Sequence, residues 1–140
     1  MLLLIISIAT HFMEKAILIF IGSGLGGAAR YGLQQCIHKY YQAIFPLGTL
    51  FVNVLACFIL GLIIGIASHK QLFSFHTNLF WTVGFCGGFS TFSAFSNEAL
   101  RLIQSGSILY ALLYILLSIV LGISVLYVGA YIANTLKYVY

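Results

Sequence analysis

Glycines and hydroxyl groups interrupt an otherwise apolar segment in the stretch GFCGGFSTFSAFSNE, residues 84–98. Gly84, Gly87 and Gly88 weaken a helix there, and the polar groups that follow are those of Ser90, Thr91, Ser93, Ser96 and Asn97. Inside lipid, non-helical backbone is tolerated only where protein buries it or where it lines a wet cavity. Carbonyl groups freed by such a break can coordinate a cation. The stretch therefore predicts a broken membrane helix, and a cation site at its freed carbonyls is one use that such a break allows.

Phenylalanines recur at every third residue of the same stretch, at Phe89, Phe92 and Phe95. Packing is the commoner role of phenylalanine in a membrane protein. The edge of an aromatic ring carries partial positive charge, however, so rings turned edge-on can favour an anion without donating a proton. Both interpretations stay open from spacing alone.

Four further polar residues lie in the apolar segments, and each has two interpretations. Asn53 either bonds a neighbouring helix or donates its amide hydrogens to a passing anion. Arg30 either extends to the membrane surface or holds a fixed positive charge at the mouth of an anion path. Tyr114 and Ser118 are four residues apart on one helical face, where they either satisfy adjacent helices or face a polar path.

The two acids, Glu14 and Glu98, do not resemble general acids. Glu98 precedes Arg101 by three residues, which favours an ion pair at the membrane surface. Glu14 adjoins Lys15, and the four histidines fall outside the predicted spans. Because no nucleophile–base pair or metal cluster emerges, we do not expect an enzyme.

The elements that position these residues follow from composition. At 62% hydrophobic and 6% charged residues, the 140-residue chain is predicted to be an all-α integral membrane protein with a single transmembrane domain. A span takes about 20 apolar residues. The pattern predicts four spans, at about 16–36, 47–67, 77–101 and 108–133, with the break in the third. Residues 1–12 either lengthen the first helix or precede a true start at Met13.

The first span contains GSGLGGAAR, in which small residues such as Gly22 and Gly26 recur four apart and favour close helix packing. No strand precedes these glycines, so the pattern is not a dinucleotide site. The six Lys and Arg residues are scattered singly, which gives no basic face for nucleic acid.

Charge is balanced between the two sides of a four-span arrangement. One side carries Lys15, Lys70 and Lys137, and the other carries Lys39 and Arg101, with Arg30 as a further candidate. Lys and Arg bias normally sets orientation. The balance is compatible with insertion both ways round and an antiparallel pair, or with one weakly favoured orientation.

Three motifs together resemble the Fluc (CrcB) family of fluoride channels: GGAARYGL, GTLFVN and GFCGGFSTFSAFS. The resemblance covers nearly all of the chain after Met13. It implies an antiparallel dual-topology homodimer with two pores and a structural sodium ion at the dimer centre. Gly87 and Ser90 would offer backbone carbonyls to that Na⁺.

The resemblance also implies roles for side chains. Phe92 and Phe95 would turn their ring edges to the fluoride path, and Asn53 would be the pore amide. Arg30 would lie near the vestibule.

A polar track beside the rings would include Ser93, Tyr114 and Ser118. Ala94 departs from the family pattern, which commonly has threonine there, so the track lacks one donor. We expect this to alter rate or anion affinity rather than selectivity, because the rings remain.

The function implied is passive export of fluoride through the cell (plasma or inner) membrane, with fluoride ion and membrane lipid as partners. A small four-helix exporter of drugs or metabolites is the alternative, and it would need a titratable acid such as Glu14 deep in the membrane. A structural assembly subunit is a third interpretation, in which the break and Asn53 only pack.

Overall fold

The computed structural model of the chain describes residues 2–67 and 74–135, and every regular element in those ranges is helical. Three helices are long and apolar enough to cross a membrane: α1 (Leu2–Tyr40), α2 (Leu47–Ala67) and α6 (Ile108–Thr135). The expectation of an all-helical membrane protein is confirmed. Lys70 and Lys137, on which the charge comparison partly depends, lie outside the described residues.

Helix α1 is longer than the first predicted span at both ends. Its 39 residues correspond to about 58 Å of helix, against a hydrocarbon core of about 30 Å. Residues 2–12 continue the same helix, and Phe12 and Met13 are exposed on it. By contrast, α2 has the bounds expected of the second span, and α6 runs two residues past the expected end of the fourth.

The third apolar segment is divided into four pieces. The first three are α3 (Phe75–Leu79), a π-helical stretch (Phe80–Cys86) and α4 (Gly87–Phe89). Ser90 and Thr91 are then extended, with φ/ψ of −78°/161° and −150°/110°, and α5 (Phe92–Gln104) follows. We call Ser90 and Thr91 the break. It interrupts the helix within the predicted span 77–101, whose helical residues extend to 75 and 104.

Side chains cap the starts of α3 and α5, the helices at the two ends of this segment. Ser74 Oγ accepts from the amide of Thr77 at 3.2 Å, where α3 begins. Thr91 Oγ1 accepts from the amide of Ala94 at 3.2 Å, where α5 begins. A hydroxyl that satisfies an amide of the first turn favours helix initiation at that residue. The break is therefore a capped helix start as well as an interruption.

Glycines allow α1 to lie directly against the π-helical stretch and α4. A Cβ on Gly22 would lie 2.9 Å from the Cα of Gly84, and one on Gly26 would overlap the carbonyl oxygen of Phe85. Ser23 Oγ also donates to the carbonyl of Gly84 at 3.3 Å. The predicted close packing through Gly22 and Gly26 is confirmed.

Candidate functional site

Asn53 of α2 satisfies the backbone that the break exposes. The amide of Thr91 donates to Asn53 Oδ1 at 2.8 Å, and Asn53 Nδ2 donates to the carbonyl of Thr91 at 3.2 Å. One side-chain amide thus pairs with both backbone groups of one residue. Asn53 therefore bonds a neighbouring segment, which is one of the two roles that the sequence allowed for it. Because a primary amide has two N–H groups, Asn53 keeps a second donor.

The break diverts the amides that would otherwise close helical bonds on Gly87 and Ser90. In a continuous helix, the carbonyl of Gly87 would accept from the amide of Thr91, and that of Ser90 from the amide of Ala94. The first of these amides donates to Asn53 and the second to Thr91 Oγ1. Two carbonyl oxygens are therefore released from the helical pattern, at the two positions expected to bind a cation.

Arg30 extends to the break. Its Nη1 donates to the carbonyl of Ser90 at 3.4 Å, and its side chain is half-buried. It lines a cavity of about 450 Å³, which we call the break cavity. The other lining residues are Tyr31, Gln34, Thr91, Ser93, Ala94 and Asn97. The charge of Arg30 therefore lies beside the break, and its place at the mouth of an anion path stays a prediction.

The two predicted rings lie together at the start of α5. The centroids of Phe92 and Phe95 are 5.7 Å apart, with 38° between the ring planes. Phe95 also contacts the ring of Tyr114 at a centroid distance of 5.0 Å. Phe92 is 79% exposed, so most of its surface has no neighbour within one chain. Ser93 and Asn97 are exposed on the same helix.

Glu98 does not form the expected surface pair with Arg101. Its Oε1 accepts from Thr49 Oγ1 at 2.7 Å and its Oε2 accepts from Tyr114 Oη at 2.8 Å. Residues 95, 98, 99 and 102 share one face of α5, and Ala99 and Leu102 are buried on it, whereas Arg101 is exposed on the other side. The prediction was wrong because the i,i+3 relation ignored which face packs inward. Helical spacing from Phe95 would have found the correct orientation.

The Glu98 contacts continue to α1. Gln34 Nε2 donates to Thr49 Oγ1 at 3.1 Å, so four helices contribute to one chain of hydrogen bonds. These residues are Gln34, Thr49, Glu98 and Tyr114, and sequence reasoning missed the first three as site residues. Gln34, Thr49 and Glu98 line a second cavity of about 300 Å³ at the end of α1, which we call the mouth cavity.

Tyr114 and Ser118 do not share a partner. The hydroxyl of Tyr114 donates to Glu98, and its side chain is fully buried. The hydroxyl of Ser118 is buried and has no hydrogen-bond partner in the described part of the chain. A buried hydroxyl without a partner is costly, which makes Ser118 a candidate contact for an ion or for another copy of the chain.

Comparison with known proteins gives one consistent result. Residues 17–130 match the family model described as "CrcB-like protein, Camphor Resistance (CrcB)". A relative from Flavobacterium psychrophilum, named "Fluoride-specific ion channel FluC", is 41% identical over 89% of this chain and 100% of its own length. Relatives of the same name from Azobacteroides pseudotrichonymphae and Phocaeicola vulgatus are 37% and 39% identical. They cover 84% and 87% of this chain and 94% and 100% of their own lengths.

Proposed function

The chain belongs to the CrcB-like family, and from that membership and the geometry of the break we propose that it is a fluoride-specific ion channel. It is a multi-pass membrane protein that releases cytoplasmic fluoride passively through the cell membrane, and so reduces fluoride toxicity. The observation that carries the proposal is the interrupted helix beside Arg30, with exposed Phe92, Ser93 and Asn97 at its restart. As members of a channel family, neither this chain nor its relatives are enzymes.

Fluoride is small and strongly hydrated, so a selective pathway must replace its water with closely spaced donors. The donors are the second N–H of Asn53, the Ser93 hydroxyl and the unpartnered Ser118 hydroxyl. The edges of Phe92 and Phe95 add partial positive charge without a proton to lose. Arg30 contributes a full positive charge at the break cavity. A membrane potential supplies about 2.3 kcal/mol per charge per 100 mV, which suffices for passive export.

The divided third segment, residues 75–104, is the remaining membrane span, and it crosses the membrane beside α1, α2 and α6. Its helices are individually short, but Asn53 and Thr91 Oγ1 satisfy the amides at the break. Non-helical backbone is tolerated at membrane depth under that condition. The chain then crosses the membrane four times.

A second copy of the chain covers the face of α5 that carries Phe92, Ser93 and Asn97. The polar side chains of Ser93 and Asn97 and the guanidinium of Arg30 are unfavourable against lipid tails. The balanced distribution of Lys and Arg supports an antiparallel, dual-topology homodimer. Two such faces would enclose two fluoride pathways. Reporters fused to the C-terminus should then be found on both sides of the membrane, and a single-sided result would rule out dual insertion.

The carbonyls of Gly87 and Ser90 fit a structural Na⁺ at the dimer centre. Both are released from the helical pattern, and a Cβ on Gly87 would meet nothing within 4 Å, so the backbone is accessible. Carbonyl oxygens are hard ligands suited to such a cation. The bound ion would offset the dipoles of these carbonyls and join two copies. Arg30 Nη1 also donates to the carbonyl oxygen of Ser90 at 3.4 Å, so this oxygen would be shared between the guanidinium and the ion.

The exporter alternative is not favoured. It depends on a titratable acid deep in the membrane, and Glu14 is exposed, with its Oε1 3.3 Å from His76 Nε2. A structural subunit does not explain the buried hydroxyl of Ser118, which has no hydrogen-bond partner among the described residues.

Efflux from proteoliposomes tests the proposal. Vesicles loaded with potassium fluoride or potassium chloride are diluted into low-halide buffer, and a potassium ionophore provides counterion flow. A fluoride or chloride electrode records release. We expect rapid fluoride release and chloride release at the rate of protein-free vesicles. Fluoride retained in the presence of the ionophore would overturn the proposal.

A further inference from the structure

The mouth cavity and the break cavity share two wall residues, Gln34 of α1 and Ala94 of α5. Glu98 and Thr49 line the mouth cavity, whereas Arg30 and Thr91 line the break cavity. An ion that moves from one cavity to the other therefore passes Gln34 and Ala94. The chemistry of this shared wall decides how easily it does so.

Only one of the two wall residues carries a polar side chain. The methyl group of Ala94 offers neither a donor nor an acceptor. Gln34 carries a primary amide and is half-buried, and it lies against Gly48, where a Cβ would be 3.8 Å from Gln34 Cγ. The wall thus presents one amide on an otherwise apolar surface.

The hydrogen-bond chain sets the orientation of that amide. Thr49 gives its single hydroxyl hydrogen to Glu98 Oε1, at 2.7 Å. Thr49 can then only accept from Gln34, which requires the NH₂ group rather than the carbonyl to face it, at 3.1 Å. One N–H of Gln34 is used in this way, and the second is held at the shared wall.

We propose that Gln34 is a pathway residue, which donates this second N–H to fluoride as the ion crosses between the mouth cavity and the break cavity. The proposal rests on the chain being a fluoride channel. Gln34 therefore lowers the barrier between the two cavities by donating a hydrogen bond to the ion.

Two substitutions separate the loss of the hydrogen-bond donor from the addition of a negative charge. Gln34→Leu keeps the bulk of the side chain and removes the donor, so fluoride efflux should fall by about tenfold or more, as for one lost hydrogen bond to an ion. Gln34→Glu adds a negative charge of nearly the same shape and should reduce efflux further. Its efflux should recover as pH is lowered from 7.5 to 4.5, because a glutamate carboxyl has an ordinary pKa of about 4.3 and its protonation removes the charge and restores a donor. Protein-free vesicles at each pH correct for leakage of hydrogen fluoride.

Gln35 is the matched control, since it is the next residue, lines the mouth cavity and does not line the break cavity. Gln35→Leu should stay within about twofold of the unsubstituted chain, whereas Gln35→Glu should lose less efflux than Gln34→Glu, because Gln35 does not line the break cavity. A second change, Ala94→Thr, adds a hydroxyl to the shared wall and should partly restore efflux to Gln34→Leu. Size-exclusion profiles show whether each variant folds.

The outcomes are distinguishable. If the unsubstituted chain does not release fluoride, the proposed function fails and this inference fails with it. If it releases fluoride and folded Gln34→Leu does so equally fast, only the role of Gln34 is overturned. Equal losses for Gln34→Glu and Gln35→Glu would likewise overturn it, because a general charge effect would then suffice.

Discussion

The two ends of the α2–α6 pair differ sharply in how the helices meet. At one end the backbones touch through glycines: a Cβ on Gly61 would overlap the carbonyl oxygen of Leu126, and one on Gly129 would lie 2.5 Å from that of Phe58. At the other end the same helices meet α5 through side-chain hydrogen bonds, in which Thr49 and Tyr114 both donate to Glu98.

The difference shows why only one end is suited to ions. Backbone groups inside a helix already bond to one another, so the close contacts at Gly61 and Gly129 offer an ion neither a free amide nor space. The polar end uses hydroxyl and amide groups, which can exchange one partner for another. Ser118 lies between the two ends on α6 and has a buried hydroxyl with no partner among the described residues. Substitutions at the glycine end should therefore lower stability most, and those at the polar end should affect fluoride efflux more than stability.

Substitution at the glycine end should have the largest effect on folding. Gly129→Val would place side-chain atoms against the backbone of α2 and should lower the free energy of unfolding by about 3 kcal/mol, the cost of severe overpacking. Thermal unfolding in detergent measures it. Gly24→Val is the control, because its Cβ would meet nothing within 4 Å. Equal destabilisation by both would show that the α2–α6 contact is not as tight as described.

Removing the acceptor at the polar end should cost less. Glu98→Ala leaves the buried hydroxyls of Thr49 and Tyr114 without their partner, and about 2 kcal/mol of stability should be lost. Glu98→Gln keeps one acceptor oxygen and should lose about half as much. The same unfolding assay compares them, and an alanine variant as stable as the glutamine variant would contradict the hydrogen-bond chain.

Asn53→Ala should cost about 1 kcal/mol, because it releases both backbone groups of Thr91 to other partners. Its effect on fluoride efflux should be larger, about tenfold, since the break would lose its support and the pathway a donor. Cys57→Ala, one turn along the same helix, should leave efflux within about twofold. Unchanged efflux in Asn53→Ala would return the residue to a packing role.

Phe92→Ile should have the smallest effect on stability, within about 0.5 kcal/mol, because the ring is mostly exposed in one chain. Efflux should nevertheless fall severalfold, since isoleucine has no electropositive edge. Phe12 is also an exposed phenylalanine but lies on α1, and Phe12→Ile serves as the control. If both variants release fluoride at the normal rate, the ring only packs.

Local patterns predicted much of the site. The spacing of Gly22 and Gly26 indicated the contact with the third segment, because small residues four apart lie on one helical face. Gly87, Gly88 and the following hydroxyls indicated a break, since glycine weakens helices and serine and threonine start them. These properties depend on neighbours along the chain. They could therefore be read before any tertiary contact was known.

Glu98 and Gln34 could not be assigned in the same way. Glu98 was assigned to Arg101, its neighbour in sequence, whereas its partners are 49 and 16 residues away. Gln34 showed no signal, because an amide on an apolar helix gains a role only when Thr49 and Ala94 are brought beside it.

The sequence by itself determined the membrane class, the position of the break and the residue types that can favour an anion, because hydrophobicity and helix propensity act locally. The tertiary structure alone decided which donors meet. It directed Asn53 to the backbone of Thr91, turned Glu98 inward and placed Gln34 between two cavities. The physical reason is that a hydrogen bond needs its two atoms within about 3 Å, and between separate helices only folding supplies that proximity.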